Sequence, residues 1–211
     1  MTTPEAPAAL PLKGAPPADR RSRIRGVRLA ALLLVATAAQ AEPVTYNIDP
    51  EHTWVIYEVL HFGTSTNRGR FGVKQGTVQI DRAAKSGKAD ITADMTAPQT
   101  GVPSLDQHLR TNNFFSASEF PTGKFVADKF EFDGDKVASL AGQLTLRGKT
   151  HPVTLKAVRF NCYQNPILKR EVCGGDFEAT VKRSLWGINW GLELGFPDDV
   201  RLLVQVEAIR Q

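Results

Sequence analysis

The sequence predicts an all-β protein, an eight-stranded antiparallel β-barrel with a short helical insert. Three observations carry that expectation. Apolar residues recur with period two in eight or nine short runs, turn residues separate the runs by a few positions, and one central stretch loses the alternation. The clearest run is Leu140 to Phe160, LAGQLTLRGKTHPVTLKAVRF. Leu140, Leu144 and Leu146 share one parity, and Gln143, Thr145 and Arg147 the other. Gly148-Lys149-Thr150 breaks the run, after which Val153, Leu155 and Ala157 restart it against Thr154 and Lys156. The pattern predicts a hairpin with one buried and one wet face. Pro152 is expected to open its second strand, because proline cannot donate within a ladder. Two strands alone are marginal in water, so the hairpin needs partners.

The rest of the chain supplies them in order. Val44 to Ile48 reads as a short strand, and Asp49-Pro50-Glu51 turns it into a second one, His52 to His61. There Thr53, Val55, Tyr57, Val59 and His61 share one face, and Trp54, Ile56, Glu58 and Leu60 the other. Both faces are largely apolar, which predicts cover on both sides. Gly63 to Gly69 reads as a polar loop, leading into a strand from Arg70 to Ile80 with a bulge at Gly76, where parity changes. Ala83 to Gly87 is a turn, and Ala89, Ile91, Ala93 and Met95 then alternate with polar residues. From Pro98 to Pro121 the alternation is lost. Ser104 is expected to N-cap a helix through Arg110, with Phe114, Phe115 and Phe120 packed over the open end or flank of the sheet. Strands resume at Phe125 and Ala127, and Phe130 and Phe132 sit on the opposite parity, so a bulge is expected near Lys129. Phe177, Ala179, Val181 and Arg183 mark another strand, and Leu202, Val204, Val206 and Ala208 the last. Closing these strands into a barrel removes every exposed edge. Eight strands leave an interior for a packed core or one slender ligand.

Charge and cysteines place the chain in a compartment. Of 26 basic and 22 acidic residues, six and two fall within 1–41, so the remainder carries 20 of each and is formally neutral. A nucleic-acid partner requires a basic patch, and none is evident from 42 onward. Arg20 to Arg28 is a basic segment, Leu29 to Ala38 an apolar run, and Ala39-Gln40-Ala41 a small-x-small site. Residues 1–41 are therefore expected to be a leader with a cleavable secretory signal peptide, and 42–211 the barrel domain. The apolar run is about half of the ~20 residues a spanning helix needs. Export to the periplasm or beyond implies an oxidising compartment. Cys162 and Cys173, eleven positions apart around a polar loop, are expected to form a structural disulfide contributing ~3 kcal/mol by loop closure. They lack the CxxC spacing of a redox or metal motif.

Catalytic signatures are absent: there is no GxSxG, P-loop, HExxH or glycine-rich dinucleotide motif. The expectation is a binding protein that needs no cofactor and no metal. His52 and His61 are an odd number of positions apart on one predicted strand and face opposite ways, His108 falls in the helical insert, and His151 in a hairpin turn. Each reads first as a structural histidine. His61 is the exception to watch, since it shares the face of Tyr57.

Taken together, the matching stretches resemble the YceI-like polyisoprenoid-binding family over roughly residues 45 to 209. They are Asp49-Pro50 with His52, Val55, Tyr57, Val59 and His61; Gly69-Arg70-Phe71; Thr100-Gly101; Asp106 with His108-Leu109-Arg110; Phe114-Phe115; Phe120-Pro121 with Phe125; Gly142 with Leu144 to Gly148 and Pro152-Val153; and Arg183-Ser184 before Gly187. The resemblance implies a lipocalin-like barrel with an internal tunnel for an isoprenoid chain, and a periplasmic or secreted location. Leu105 departs from it, since the family carries an arginine beside the aspartate. Inward parity then names the candidate ligand contacts: Val55, Tyr57, Val59 and His61; Phe71 and Ile91; Phe125, Leu144 and Leu146; Val153 and Phe177. The same residues would equally form a solid core. Arg183 continues the inward parity of its strand, and an inward charge is costly unless paired. It is expected at the barrel rim, where it meets an acid in a salt bridge or, with Arg110, a phosphate or quinone ring. The expected ligand is an isoprenoid lipid or quinone. Two other classes stay open: an enzyme acting on a bound lipid through His61 and Tyr57, and a module that docks a membrane redox protein through an apolar patch at Phe114-Phe115. Oligomeric state is left open, a dimer included.

Overall fold

The computed structural model describes residues 42–211. The leader and signal peptide expected over 1–41 lie outside the described residues. The order of elements is β1 (Val44–Ile48), β2 (Trp54–His61), β3 (Ser65–Asp81), β4 (Ser86–Asp94), α1 (Pro103–Arg110), β5 (Thr122–Asp133), β6 (Lys136–Leu146), β7 (Lys149–Gln164), β8 (Glu171–Lys182), a 3-10 turn (Arg183–Trp186) and β9 (Asp199–Arg210). Starting from β3, the sheet runs β3-β2-β9-β8-β7-β6-β5-β4 and returns from β4 to β3, all antiparallel. It is a closed barrel.

β1 adds no ninth position. It pairs with β3 at Val44↔Ile80 and with β9 at Tyr46↔Arg210, in the slot that β2 fills further along. The two are one barrel strand broken between Asp49 and Thr53, so the barrel has the eight strands the sequence predicted. Pro50 lacks a ladder donor, and that breaks the strand. The Asp49 carboxylate accepts from Glu51 N–H at 3.0 Å and meets His52 Nδ1 at 2.7 Å. Thr53 then restores the ladder, its Oγ1 donating to Glu207 O and accepting from Glu207 N–H.

The β6–β7 hairpin is joined by Arg147-Gly148 at φ +49° and +68°. Two left-handed residues match the twist of the flanking strands. Arg147 is held in that conformation by its Nη1, which donates to Gly187 O at 2.6 Å.

Several local expectations are corrected. Gly63 to Gly69 is no loop: only Phe62 to Thr64 turn, and β3 pairs with β2 from Ser65 onward. Polar Asn67 and side-chain-free Gly69 at inward positions concealed that strand. Its bulge lies at Val73–Gln75, ahead of Gly76, while the bulge between Ala127 and Lys129 falls where parity placed it. The helix starts at Pro103 with Val102 as its cap and no side-chain cap, so Ser104 lies inside it. Asp106 reaches back instead, accepting from Thr100 N–H and Oγ1 at 2.8 and 2.7 Å. Pro152 is the fourth residue of β7, opposite Gln143, and is tolerated because β8 joins β7 only from Lys156. His151 sits within β7 rather than in a turn, His52 precedes β2, and among the described residues no second layer of strands or helix covers the outer face of β2. Arg70 shields Trp54 there, its guanidinium 3.9 Å from the ring centroid, while Leu60 stays exposed.

A cavity through the barrel as the candidate functional site

The inward faces of the strands do not meet as a solid core. They enclose a cavity of about 350 Å³ at the end bounded by α1 and the 183–198 segment, and a second lobe of about 130 Å³ deeper in the barrel. Val55, Ile91, Phe125, Leu144 and Leu202 wall both lobes and form the neck between them. Tyr57, Val59, His61, Phe71, Leu146 and Arg183 line the outer lobe, and Val153 and Phe177 the inner one. Twelve of the thirteen predicted contacts line the cavity, eleven of them brought there by period-two alternation.

Arg110 is the exception and a correction. It is exposed and lines neither lobe. Leu105, His108 and Leu109 of the same helix take the cavity face, and at 3.6 residues per turn Arg110 is carried away from it. Leu105, the position that departs from the family pattern, is one of these wall residues.

Arg183 reaches the cavity by a different route from the one predicted. It opens the 3-10 turn instead of extending β8, and is 8% exposed. Its Nε donates to Pro197 O at 2.9 Å, and its Nη1 to Ile188 O and Trp190 O at 3.0 and 2.7 Å. Among the described residues it has no carboxylate within salt-bridge distance. Burial pulls its pKa down and the charge of Asp198 opposes that. Asp198 is itself fixed by Ser184 N–H and Oγ at 2.8 and 2.7 Å. The arginine is therefore the latch of the 183–198 segment. The expected salt bridge is replaced by carbonyls.

That segment and α1 close the mouth with aromatic rings in series. His61 lies edge-on to Phe62 and to Phe196 at 4.9 and 5.0 Å, Phe196 meets Trp190 at 5.7 Å, and Trp190 meets His108 at 4.9 Å and Phe114 at 5.5 Å. Phe115 packs edge-on against Phe71 at 4.9 Å. Phe114 and Phe115 both line the cavity, so they do not form the outward apolar patch on which a docking module depended. The lining residues with polar side chains are Tyr57, Asn67, His61, His108 and Arg183. Burial, with a smaller contribution from Asp106, pushes the Tyr57 hydroxyl up to about 12, so it is neutral and can donate at any physiological pH.

Sequence reasoning missed the residues contributed by irregular backbone. Trp186, Ile188, Trp190 and Phe196 lie in a stretch without alternation, and only their hydrophobicity in a polar loop marked them. Trp186 is 1% exposed and its Nε1 donates to Leu144 O at 3.0 Å. His151 lies edge-on to that indole at 5.2 Å, with its Nε2 2.9 Å from Leu185 O. It is a structural histidine. At the far end of the barrel Cys162 and Cys173 form the expected disulfide, as a directly opposed pair on β7 and β8.

Fold and site together define a closed antiparallel barrel with an apolar internal cavity roofed by a helical insert. The YceI-like domain model matches residues 46–208, and the chain belongs to the YceI-like family. It is 35% identical over 190 residues to a UPF0312 protein of Pseudomonas aeruginosa, covering 87% of this chain and 97% of that one. It is 31% identical over 195 residues to Protein YceI of Salmonella arizonae, covering 90% and 99%. Among solved structures, Burkholderia cenocepacia BcnA superposes with a TM-score of 0.60 at 22% identity, covering 76% of this chain and 99% of that one. A polyisoprenoid binding domain from Saccharophagus degradans, implicated in plant cell wall breakdown, gives 0.53 at 10% identity, covering 80% and 99%. These two likenesses speak to the fold.

Proposed function

We propose that the protein is a periplasmic or secreted binding protein that holds an isoprenoid lipid, of the quinone or polyprenyl phosphate type, inside the barrel for carriage or sequestration. The observation that carries this is the two-lobed cavity with one apolar neck. Its outer lobe is within the range of small-molecule sites, and the narrow inner lobe suits a chain more than a ring. Burial of apolar surface provides the affinity, at ~0.8 kcal/mol per methylene. Tyr57, Asn67, His61 and His108 line the outer lobe and none of them the inner one, which supports a reading with the head group in the outer lobe and the chain's end in the inner lobe. That arrangement favours binding over an enzymatic role, because His61 and His108 are engaged with aromatic rings and, among the described residues, those lining the outer lobe include no serine, threonine, cysteine or lysine. The disulfide supports a compartment outside the reducing cytoplasm.

Blocking the neck tests the proposal. Leu144→Trp places a large ring between the lobes and denies the chain its last five-carbon unit. At the figure above this is about 4 kcal/mol, on the order of a thousandfold in affinity for a long-chain polyprenyl ligand. A single-isoprene analogue, which fits the outer lobe alone, should bind the variant and the parent alike. Long-chain affinity of the variant equal to that of the parent would remove the neck from the binding path.

A further inference from the structure

The disulfide sits in surroundings unlike those of an inert staple. Arg82, in the β3–β4 turn, places Nη2 2.8 Å from Cys162 Sγ, 3.2 Å from Cys173 Sγ and 2.7 Å from Glu171 Oε1. Glu171 Oε1 is 3.1 Å from Cys173 Sγ and accepts from the Tyr46 hydroxyl at 2.7 Å. The two sulfurs thus meet different charge: the guanidinium reaches both and stands nearer Cys162, while Cys173 also touches the carboxylate. Partial burial alone would raise the Glu171 carboxyl, but the hydrogen bonds from Arg82 and Tyr46 outweigh it and hold it low. Arg210 on β9 adds further positive charge, and Asp135 of the β5–β6 turn and Lys136 at the start of β6 close the ring. Access is unequal as well. Cys162 is half-buried and opens on a polar cleft of about 380 Å³ beside Arg82, Lys136 and Glu171, whereas Cys173 is 3% exposed and faces the barrel interior.

We propose that Cys162–Cys173 is a thiol–disulfide exchange site whose reductant is a protein dithiol docking in this cleft. The attacking thiolate gives its electron pair to a new S–S bond with Cys162 Sγ. The Cys162–Cys173 bond breaks, and its electron pair leaves on Cys173, which takes a proton from solvent. The second thiolate of the partner then attacks its own sulfur in the mixed disulfide and releases Cys162 as a thiolate against Arg82. Two electrons pass from the partner dithiol, which ends as a disulfide, to this protein, which ends as a thiolate–thiol pair. Arg82 favours the reduced state because it neutralises the charge that appears on Cys162. Glu171 keeps Cys173 protonated and so leaves Cys162 the single reactive thiol. Cys162, Glu171 and Cys173 present ligand atoms all within 4.8 Å of one another. A metal ion is nevertheless disfavoured in the reduced form, because the guanidinium already stands among the three.

Two measurements on the folded protein decide this. The first equilibrates the oxidised protein in glutathione buffers of graded ratio, with alkylation and mass analysis. The expected result is opening of the bond with glutathione trapped on Cys162. The second follows thiolate absorbance of the Cys173→Ser variant against pH. Cys162 should ionise below the ~8.5 of a free thiol, Arg82→Gln should raise that value by about one pH unit or more, and Arg82→Lys should restore it. The Cys173→Ser titration leaves Arg82 untouched, so the test stands even where Arg82→Gln fails to fold. A bond that stays closed in the most reducing buffer with the barrel intact overturns the proposal. So does a Cys162 that ionises at or above 8.5.

Discussion

Tyr57 lies flat across the backbone of Gly69, its cross-strand partner, so one side chain fills two inward positions of the barrel wall. A Cβ at Gly69 would stand 2.6 Å from Tyr57 Cε1 and 2.7 Å from its hydroxyl, and the ring would have to move. Gly69→Ala should therefore destabilise the barrel by about 1–3 kcal/mol in urea unfolding. Combined with Tyr57→Ala it should cost less than the sum of the two, since removing the ring removes the clash. Additive losses would mean that the two residues do not share that space. Trp186 makes the complementary point, since its buried indole N–H satisfies the carbonyl of Leu144 in the neck. Trp186→Phe removes that hydrogen bond and leaves a void in the neck wall, for an expected loss of about 2 kcal/mol or more. A loss within 0.5 kcal/mol would contradict it, the range of an ordinary surface change.

Among the elements, the strands and the helical insert over the sheet were legible in the sequence, and the 183–198 part of the roof was not. Alternation is imposed by the pleat itself, so Val55 to His61 on β2 announced both their face and their cavity role, and Leu202 to Ala208 on β9 announced their strand. The 183–198 segment owes its order to Arg183 binding three carbonyls, a contact with no sequence period. β3 was read short for a related reason, because Tyr57 supplies the inward bulk that Asn67 and Gly69 lack. Arg183→Met should free the segment while leaving the strands paired. Hydrogen exchange of the amides from 184 to 198 should then rise at least tenfold with β2 to β9 unchanged, and uniform protection would deny the latch. At the opposite end, Glu171 links Arg82 on the β3–β4 turn to Tyr46 on β1. Its folded-state pKa lies below the ordinary value of 4.5. The network therefore stabilises the fold above about pH 4.5, and that contribution is lost as pH falls through the folded value. Glu171→Gln should flatten the acid limb of the stability–pH curve, and an unaltered limb would assign it to other carboxylates.

For the whole molecule, the neutral body, the closed sheet and the apolar cavity describe a container more than a surface for partners. Composition predicted the first, since the residues beyond 41 balance charge for charge. Strand count predicted the second. The third was undecided in the sequence, because inward Val, Ile, Leu and Phe read the same whether they pack together or stand apart. The decision came from the roof, where Leu109, Phe115 and Trp190 hold the mouth lobe open above the neck. The most direct measurement is native mass spectrometry of the protein recovered from the periplasm, paired with organic extraction of what accompanies it. One isoprenoid lipid per chain, absent from the Leu144→Trp variant, is the predicted result. Protein that arrives without lipid, and stays so when offered long-chain quinones and polyprenyl phosphates, would contradict it.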